Sequence, residues 1–558
     1  MASVTPHTER TSSGRKYLIA LVAALGLLPI VLDTTIVNVV LPAIRVALNT
    51  DVNTAQWIIT GYFLASAAVV AVGGYLANRF GRKRLFILGL LLFTAGSALC
   101  ALAPSISWLI GFRVLQGIGG GIILPIGPAM AFDGFPADER AKASALVGVP
   151  LLLAPVFGPI LGGYLNDTFD WHSIFYINLP VGVIAALAAL LAFPRDEAPA
   201  TRSARFDVIG LTLSTVGIVA IVYALTLVTR TDPGTVTAAN PGGDLYGWGY
   251  WLVWTLLGAG VVVLALFAVY SLWISRDPAI DLRQLARRDF LVSTIFNWAA
   301  ALITFGLLVL LPIYFELVRL PHLSARDTGL ALIPFGVGSI AGTIIAAALY
   351  RVLGPRLVVL IGSVMAAGSA WLLAQTVQPT ADASQLIAAA QTHTSVASVA
   401  GPDALFWGLL LVGASFTFMN IAVQTLALEA LSGDALAKAS SLFLASKLIF
   451  SSVGVAILTT LFVDGTHSRA TDLIAQLRAQ AGGVGLNPAD PRVQAALKAM
   501  LAQIATQSGT YAIQHIFWLI FFGSFGLMAL ALLLPGRRRA VAKTPQSADE
   551  APIQPVGV

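Results

Sequence analysis

Fourteen predominantly apolar stretches recur along the chain, separated by polar connections, and each is long enough for a helix to cross a hydrocarbon core. They begin near Tyr17, Asn53, Leu85, Ile106, Arg140, Ser173, Asp207, Trp248, Phe290, Asp327, Leu357, Ala404, Leu436 and Gln514. The pattern predicts an all-α polytopic membrane protein with 14 transmembrane helices. The connection between the seventh and eighth stretches, Thr229 to Gly247, is rich in Gly, Pro and Asp. Met1 to Lys16 is polar and basic, and the apolar run after it has no small-residue cleavage pattern, so it is expected to be a retained first span and not a cleaved signal peptide.

Composition agrees with this reading. Of 558 residues, 57% are hydrophobic and only 11% charged, whereas soluble domains carry roughly a quarter of their residues as charges. The net charge of +6 does not point to nucleic acid, because the basic residues sit in short clusters at the ends of apolar stretches, where they set membrane topology. An even number of spans puts both termini on one side. With both in the cytoplasm, the inner segments hold most of the 33 lysines and arginines, the bias expected of a multi-pass plasma (inner) membrane protein. The single cysteine, Cys100, excludes an internal disulfide framework.

The loop from Phe80 to Lys83 has a fainter echo from Arg351 to Arg356, which predicts duplication of a six-span unit. Residues 1–16 then form a tail, 17–198 an N-terminal six-helix bundle, 199–288 two inserted helices, 289–535 a C-terminal six-helix bundle and 536–558 a second tail. Within the C-terminal bundle, residues 464–512 read as an outer helical hairpin, with helical periodicity at Asp472 to Gln480 and Arg492 to Gln503.

No nucleotide-driven engine is visible: Walker A and HExxH sequences are absent, and Gly117 to Gly121 does not complete GxGxxG. The six histidines share no ligand spacing, so no metal or other cofactor is expected. Energy would come from an ion gradient. Charges inside spans are costly and become functional candidates by default. Asp33 lies in Leu32 to Pro42 (LDTTIVNVVLP), and Arg113 in the fourth span needs a carboxylate or carbonyl partner, for which Asp33 and Gln116 are candidates. Burial disfavours the charged form of Asp33 and a nearby cation favours it, a competition suited to a reversible proton carrier; the alternative is a purely structural pairing. Glu316 is a second protonatable candidate, against an interfacial carboxylate in water. Lys447 either snorkels or faces the cavity, and Glu429 is placed at the cytoplasmic interface of the twelfth span.

Aromatic residues in spans, among them Tyr62, Phe63, Phe296, Trp298, Phe305, Tyr314, Phe416 and Phe418, can line a pocket for flat apolar cations. Asn38, Gln116, Asn297, Asn420 and Gln424 supply polar groups near them. Taken singly, each aromatic is more often turned to lipid or to a neighbouring helix. In the fifth span, Gly158, Gly162 and Gly163 clear one face for close helix approach while Pro155 and Pro159 bend the helix, which suits two bundles sealing against each other.

From Tyr17 to about Pro535 these motifs, in this order, resemble the fourteen-span drug/proton antiporters of the major facilitator superfamily, the QacA and EmrB type. LDTTIVNVVLP is similar to that branch's first-span signature. The stretch Gly74-Tyr-Leu-Ala-Asn78-Arg79-Phe-Gly81-Arg82-Lys83 resembles the loop signature between spans two and three. Arg113-Val-Leu-Gln116-Gly117 resembles the fourth-span signature tied to proton transfer, and Gly158-Pro159 with Gly162-Gly163 the antiporter signature. Trp171 with Phe175 to Gly182, Phe206-Asp207 with Gly210, and Leu311 to Tyr314 are further likenesses. The departures are Asn78 where the loop signature has Asp, Ala154 for a glycine, His172-Ser173 for an Arg-Trp pair, and Glu316 for a glutamine. Asn78 removes a carboxylate from the switch; Asp133 is a substitute partner for Arg79 or Arg82.

The resemblance implies alternating access between two bundles. Asp33, Arg113 and Glu316 couple protons, and export of lipophilic or cationic drugs is the expected activity. An exporter of an endogenous lipid, siderophore or amino acid keeps the same fold; an enzyme or sensor lacks a constellation to support it, and a channel would fail to drive flux uphill. Expected partners are a small-molecule substrate, protons and the lipid bilayer, with no nucleic acid. Oligomeric state and the need for an envelope adaptor protein are left open by the sequence.

Overall fold

The protein is described from a computed structural model, which describes residues 13–133, 135, 146, 154, 157–194, 196, 207–230, 232, 235, 245–275, 278, 280–379, 401–429, 433–480 and 491–536. Helices follow the apolar stretches: α1 Ser13–Ala47, α2 Trp57–Phe80, α3 Arg82–Ala101, α4 Ile106–Asp133, α5 157–168, α6 Asn178–Ala192 and α7 Val208–Val228. The second half continues with α8 Trp251–Val269, α9 Arg288–Ile313, α10 Ile333–Leu353, α11 Pro355–Thr376, α12 Pro402–Glu429, α13 Gly433–Gln480 and α14 Pro491–Ala531. Among the described residues twelve helical segments are long and apolar enough to cross a membrane; α2 and α5 occupy the places of the other two expected spans. Helices satisfy their own backbone groups, which is the condition for crossing hydrocarbon.

One bundle is built from α1, α2, α3, α4 and α6, the other from α9 to α14, and they meet where α2 packs on α13 and α1 on α9. The inserted pair α7 and α8 pack on each other, and α7 lies over the α2–α13 seam. There Leu64, Ile218, Val222 and Ala456 form a small buried cluster. Thr460 Oγ1 donates to the Leu225 carbonyl at 3.0 Å, and Asn53 Nδ2 to that of Thr229 at 3.0 Å. Asp207 caps α7 by accepting from Gly210 N at 2.9 Å and receives the Tyr270 hydroxyl at 2.9 Å, tying the two inserted helices together.

The two halves share one hydrogen-bond arrangement at their glycine turns. Gly81 (φ 88°) and Gly354 (φ 80°) make the turns between α2 and α3 and between α10 and α11, both in a region that only glycine enters readily. After the first turn, Lys83 Nζ donates to the carbonyls of Leu190 and Phe193 at the end of α6, 2.6 and 2.7 Å. After the second, Arg356 Nε donates to the Leu534 carbonyl just past α14, 2.7 Å. In each half, a cation beside a glycine turn holds the orphan carbonyls of that half's last span.

The hairpin expected at 464–512 is built differently. Its helical segments are prolongations of α13 and α14, which run without interruption from the spans through Gln480 and from Pro491 onward; the expected start of the last span, Gln514, is therefore well inside a helix. Residues 481–490 lie outside the described ones.

Candidate functional site

Helix α1 runs along the bundle from Ser13 to Ala47, and its termini define a Ser13 end and an Ala47 end of the molecule. Arg113 stands in the second turn of α4, where the helix is otherwise apolar, and is 1% exposed. A guanidinium so placed must find acceptors within the protein. Its Nη1 pairs with Asp33 Oδ2 of α1 and also donates to Gln116 Oε1 at 2.8 Å, while Nε donates to the Ile58 carbonyl of α2 at 3.0 Å. The Tyr62 ring lies under the guanidinium, 4.4 Å from centroid to Cζ, with Phe175 at 5.9 Å.

Asp33 is equally enclosed. Besides Arg113, its carboxylate accepts from Gln116 Nε2 at 3.0 Å and from Asn178 Nδ2 at 3.2 Å. Asn178, the first residue of α6, also donates to Ser97 Oγ of α3 at 3.1 Å, and that hydroxyl donates to the Phe175 carbonyl at 2.9 Å. Every helix of the first bundle except α5 thus contributes to one buried, electrically neutral network. Adding a proton to Asp33 would turn an acceptor into a donor and leave Arg113 without its counter-charge.

The sequence places Tyr62 and Gln116 among the substrate-cavity residues; the structure puts both against Arg113. Asn178, which the sequence offers only within the likeness from Phe175 to Gly182, joins the site, as does Ser97, which the sequence does not single out. Most of the other candidates lie in the second bundle; Asn38 is on α1 and Phe63 on α2. Phe63 meets Phe305 edge-on at 5.0 Å, joining α2 to α9. Asn297 Nδ2 donates to the Phe443 carbonyl at 3.1 Å, and Trp298 stacks on Phe450 at 4.5 Å. The Lys447 ammonium stands 5.5 Å from the centre of the Phe416 ring. Asn38, Tyr314 and Asn420 each keep a buried polar atom without a hydrogen-bond partner, and Gln424 is exposed.

Glu316 sits in a widened π turn, Tyr314–Val318, just beyond Pro312 at the Ala47 end of α9. Its Oε1 is buried and unpartnered, and Thr328 faces it. Thr328 belongs to the short helix Ala325–Ala331, which lies against α5. Here the bundles touch backbone to backbone: Gly163 rests on Ala325 and Arg326, and Gly329 on Pro159. Arg326 N donates to Asp167 Oδ2 at 2.9 Å. Gly162, the residue before Gly163, and Gly158, about one turn further back along α5, allow α1 to approach at Ile36 and Thr35.

At the α2–α3 turn, the space a side chain on Gly81 would need is filled by the Asp196 carboxylate, another residue not singled out from sequence. Asp196 accepts from the backbone N–H of Lys83 at 2.8 Å and of Arg84 at 3.1 Å, so it caps α3 and ties its first turn to the segment just past α6. For Gly74, Asn78, Arg79, Asp133 and Glu429 only the backbone is described, and Pro155 lies outside the described residues.

An all-helical two-bundle membrane fold among the described residues, with a buried ion pair at the heart of one bundle, fits a polytopic membrane transporter. Comparison with known proteins gives the family. Residues 23–455 match the Major Facilitator Superfamily. The chain is 31% identical over 429 residues to a "Multidrug resistance protein B homolog" of Mycobacterium tuberculosis, 77% of this chain and 73% of that one. It is 28% identical over 514 residues to "Multidrug export protein EmrB" of Escherichia coli, 90% and 92%. A solved bacterial homolog of the human lysosomal transporter Spinster superposes with a TM-score of 0.55 at 16% identity, covering 94% of this chain and 98% of that one. The chain belongs to the Major Facilitator Superfamily; it is a membrane transporter and not an enzyme.

Proposed function

We propose that the protein is a secondary active exporter of lipophilic drugs that uses inward proton flow, with Asp33 as the proton carrier and Arg113 as the charge that tunes it. Drug export is supported by the relatives, whose names are those of multidrug resistance and export proteins. The observation that carries the coupling assignment is the fully buried Arg113–Asp33 pair, held by Gln116 and Asn178.

Both termini are assigned to the cytoplasm, which makes the Ala47 end the outer one. The backbone contacts of Gly163 and Gly329 then form the outer seal of an inward-facing state. Substrate enters between the bundles from the cytoplasm or inner leaflet. A proton taken up by Asp33 from outside breaks the network that joins α1, α3, α4 and α6, and its release inside restores it; the two network states bias the two packings of the bundles. Glu316, beside the seal, is the second proton site.

The test is gradient-driven movement of a panel of lipophilic drugs, ethidium among them, in liposomes containing the purified protein, with Asp33→Asn alongside. Wild-type transport responds to the imposed pH gradient and the variant's does not. Gradient-driven transport by Asp33→Asn at the wild-type rate would remove Asp33 from the mechanism. A wild type that moves no drug of the panel would give the cargo to the endogenous class, a lipid, siderophore or amino acid.

A further inference from the structure

The inserted pair α7 and α8 has no part in the charge network, yet it touches both bundles. The two helices form one body. A side chain on Gly217 of α7 would overlap Leu264 of α8, and one on Gly260 of α8 would overlap Ile221 of α7, so they lie in close contact; at the Ser13 end the Tyr270 hydroxyl joins them through Asp207.

The seat of this body is α13. Ile449, Val453, Ala456 and Thr460 follow one another at helical spacing and form a stripe along α13, against which α7 sets Ile218, Val222 and Leu225. The foothold on the first bundle is smaller. Leu64 of α2 enters the same cluster, the Trp57 and Tyr223 rings lie 6.4 Å apart, and Asn53 Nδ2 donates to the Thr229 carbonyl at 3.0 Å.

Leu225 and Thr229 belong to the last turn and the C-cap of α7, where a helix leaves carbonyls without partners of its own. These two carbonyls are divided between the bundles: Thr460 of the second takes one and Asn53 of the first takes the other. Asn53 follows the end of α1 by a short loop, so this happens at the Ala47 end, and α13 packs on its short helix, Val52–Ala55, as well as on α2. Keeping that seam closed is costly, because Asn53 Oδ1 and both amide atoms of Gln56 are buried there without a protein partner, and water would solvate them if the helices parted.

We propose that the inserted pair is a latch between the bundles. It is carried by the second bundle on α13, and the Asn53–Thr229 hydrogen bond fastens it to the first. It thereby holds the α2–α13 seam closed at the Ala47 end and sets the balance between the two packings of the bundles. This rests on the alternating packings proposed above for the exporter. Once the seam parts, water serves both partners of the bond, so removing Asn53 Nδ2 destabilises the closed packing alone.

The experiment is measurement of spin-label distances in the full chain in nanodiscs, in the Cys100→Ser background, without cargo or gradient. One pair of labels sits at Trp251→Cys of α8 and Val46→Cys of α1, the other at Trp251→Cys and His467→Cys of α13, all exposed positions. Asn53→Ala is expected to raise the ratio of long to short distances in the first pair about fivefold or more, the loss of one buried hydrogen bond, and to leave the second pair unchanged. An unchanged first pair would overturn the latch. A lengthened second pair would overturn it too, because α13 would then not carry the inserted helices. If Asn53→Ala fails to fold, Tyr223→Ala, at an exposed ring, replaces it, with a smaller shift of the first pair expected and no shift counting against the latch. Because the distances need no cargo, the latch and the export reading fail separately: the expected shift in a protein that moves no drug removes the second, and gradient-driven drug transport with unmoved distances removes the first.

Discussion

The α-carbon of Gly329 lies against the carbonyl oxygen of Pro159, so closely that a methyl group at 329 would overlap it. Neither backbone can yield without separating α5 from the Ala325–Ala331 turn. Gly329→Ala therefore acts on one packing of the bundles and not on the other. Overpacking costs about 1–3 kcal/mol, enough to move a two-state ratio by roughly 5- to 150-fold. Spin labels on Tyr164 and His322, both exposed and flanking the contact, should report a new, longer distance in Gly329→Ala. A distance distribution identical to wild type would show that the contact does not hold the bundles together.

Asp33 and Arg113 should prove strongly non-additive. Removing either alone strands the other charge inside the bundle, a loss of about 3–5 kcal/mol, whereas removing both strands neither. The thermal unfolding temperatures of Asp33→Ala, Arg113→Ala and the double variant should therefore place the double variant near the singles, well above the sum of their losses. Additive losses would mean that the two side chains do not share one energetic unit.

The spans and the ion pair were both legible in the sequence, for one physical reason. A lipid-solvated helix must be long and apolar, so the exceptions stand out, and Asp33 and Arg113 are the exceptions in α1 and α4. What remained hidden depends on where side chains point. Tyr62 and Gln116 were visible as residues that would matter, but an aromatic ring in a span carries no mark of whether it lines a cavity or lies under a guanidinium. Asn178 and Ser97 are neutral and small, ordinary residues for a membrane helix, and their partners are 145 and 78 residues away along the chain. The continuity of α13 through the polar stretch 464–480 was hidden because helical periodicity marks a segment as helical without saying that it joins the span before it.

Asn178 then yields a prediction of its own. It donates to the Asp33 carboxylate and to Ser97, and a hydrogen bond to a charged group contributes about 1.5–3 kcal/mol. Asn178→Leu should slow gradient-driven transport by about tenfold or more, because the charged form of Asp33 loses a donor. Asn178→Gln tests the geometry, since its amide is displaced by one methylene and should restore little. Wild-type rates in Asn178→Leu would confine the working network to Asp33, Arg113 and Gln116.

Asp196 and Gly81 should behave as one structural device. The carboxylate caps α3 through the N–H groups of Lys83 and Arg84, and loss of such a cap costs about 0.5–2 kcal/mol. Gly81→Ala meets two obstacles, a backbone φ of 88° and the carboxylate itself. It should lower the unfolding temperature more than Asp196→Ala does, and Asp196→Ala should relieve part of the Gly81→Ala defect by clearing the space. A Gly81→Ala defect of the same size with and without Asp196 would leave backbone strain as its whole cause.

The contact at the Ala47 end can also be locked. Arg326 N lies 2.9 Å from Asp167 Oδ2, so the two positions face each other across the contact, and cross-linking of cysteines placed there under oxidation is itself the first readout, a disulfide needing α-carbons about 4.4–6.8 Å apart. Cys100, the native cysteine, is buried and donates to Gln116 Oε1 at 3.7 Å, so Cys100→Ser keeps a donor there and clears the background. In that background, oxidised Asp167→Cys/Arg326→Cys should stop transport while leaving substrate binding from the Ser13 end intact, and reduction should restore transport. If oxidation forms the cross-link and transport continues, α5 and the Ala325–Ala331 turn do not separate during the cycle, and the outer gate must lie elsewhere. If transport stops in Asp167→Cys alone as well, the loss belongs to the missing Asp167 carboxylate and not to the lock.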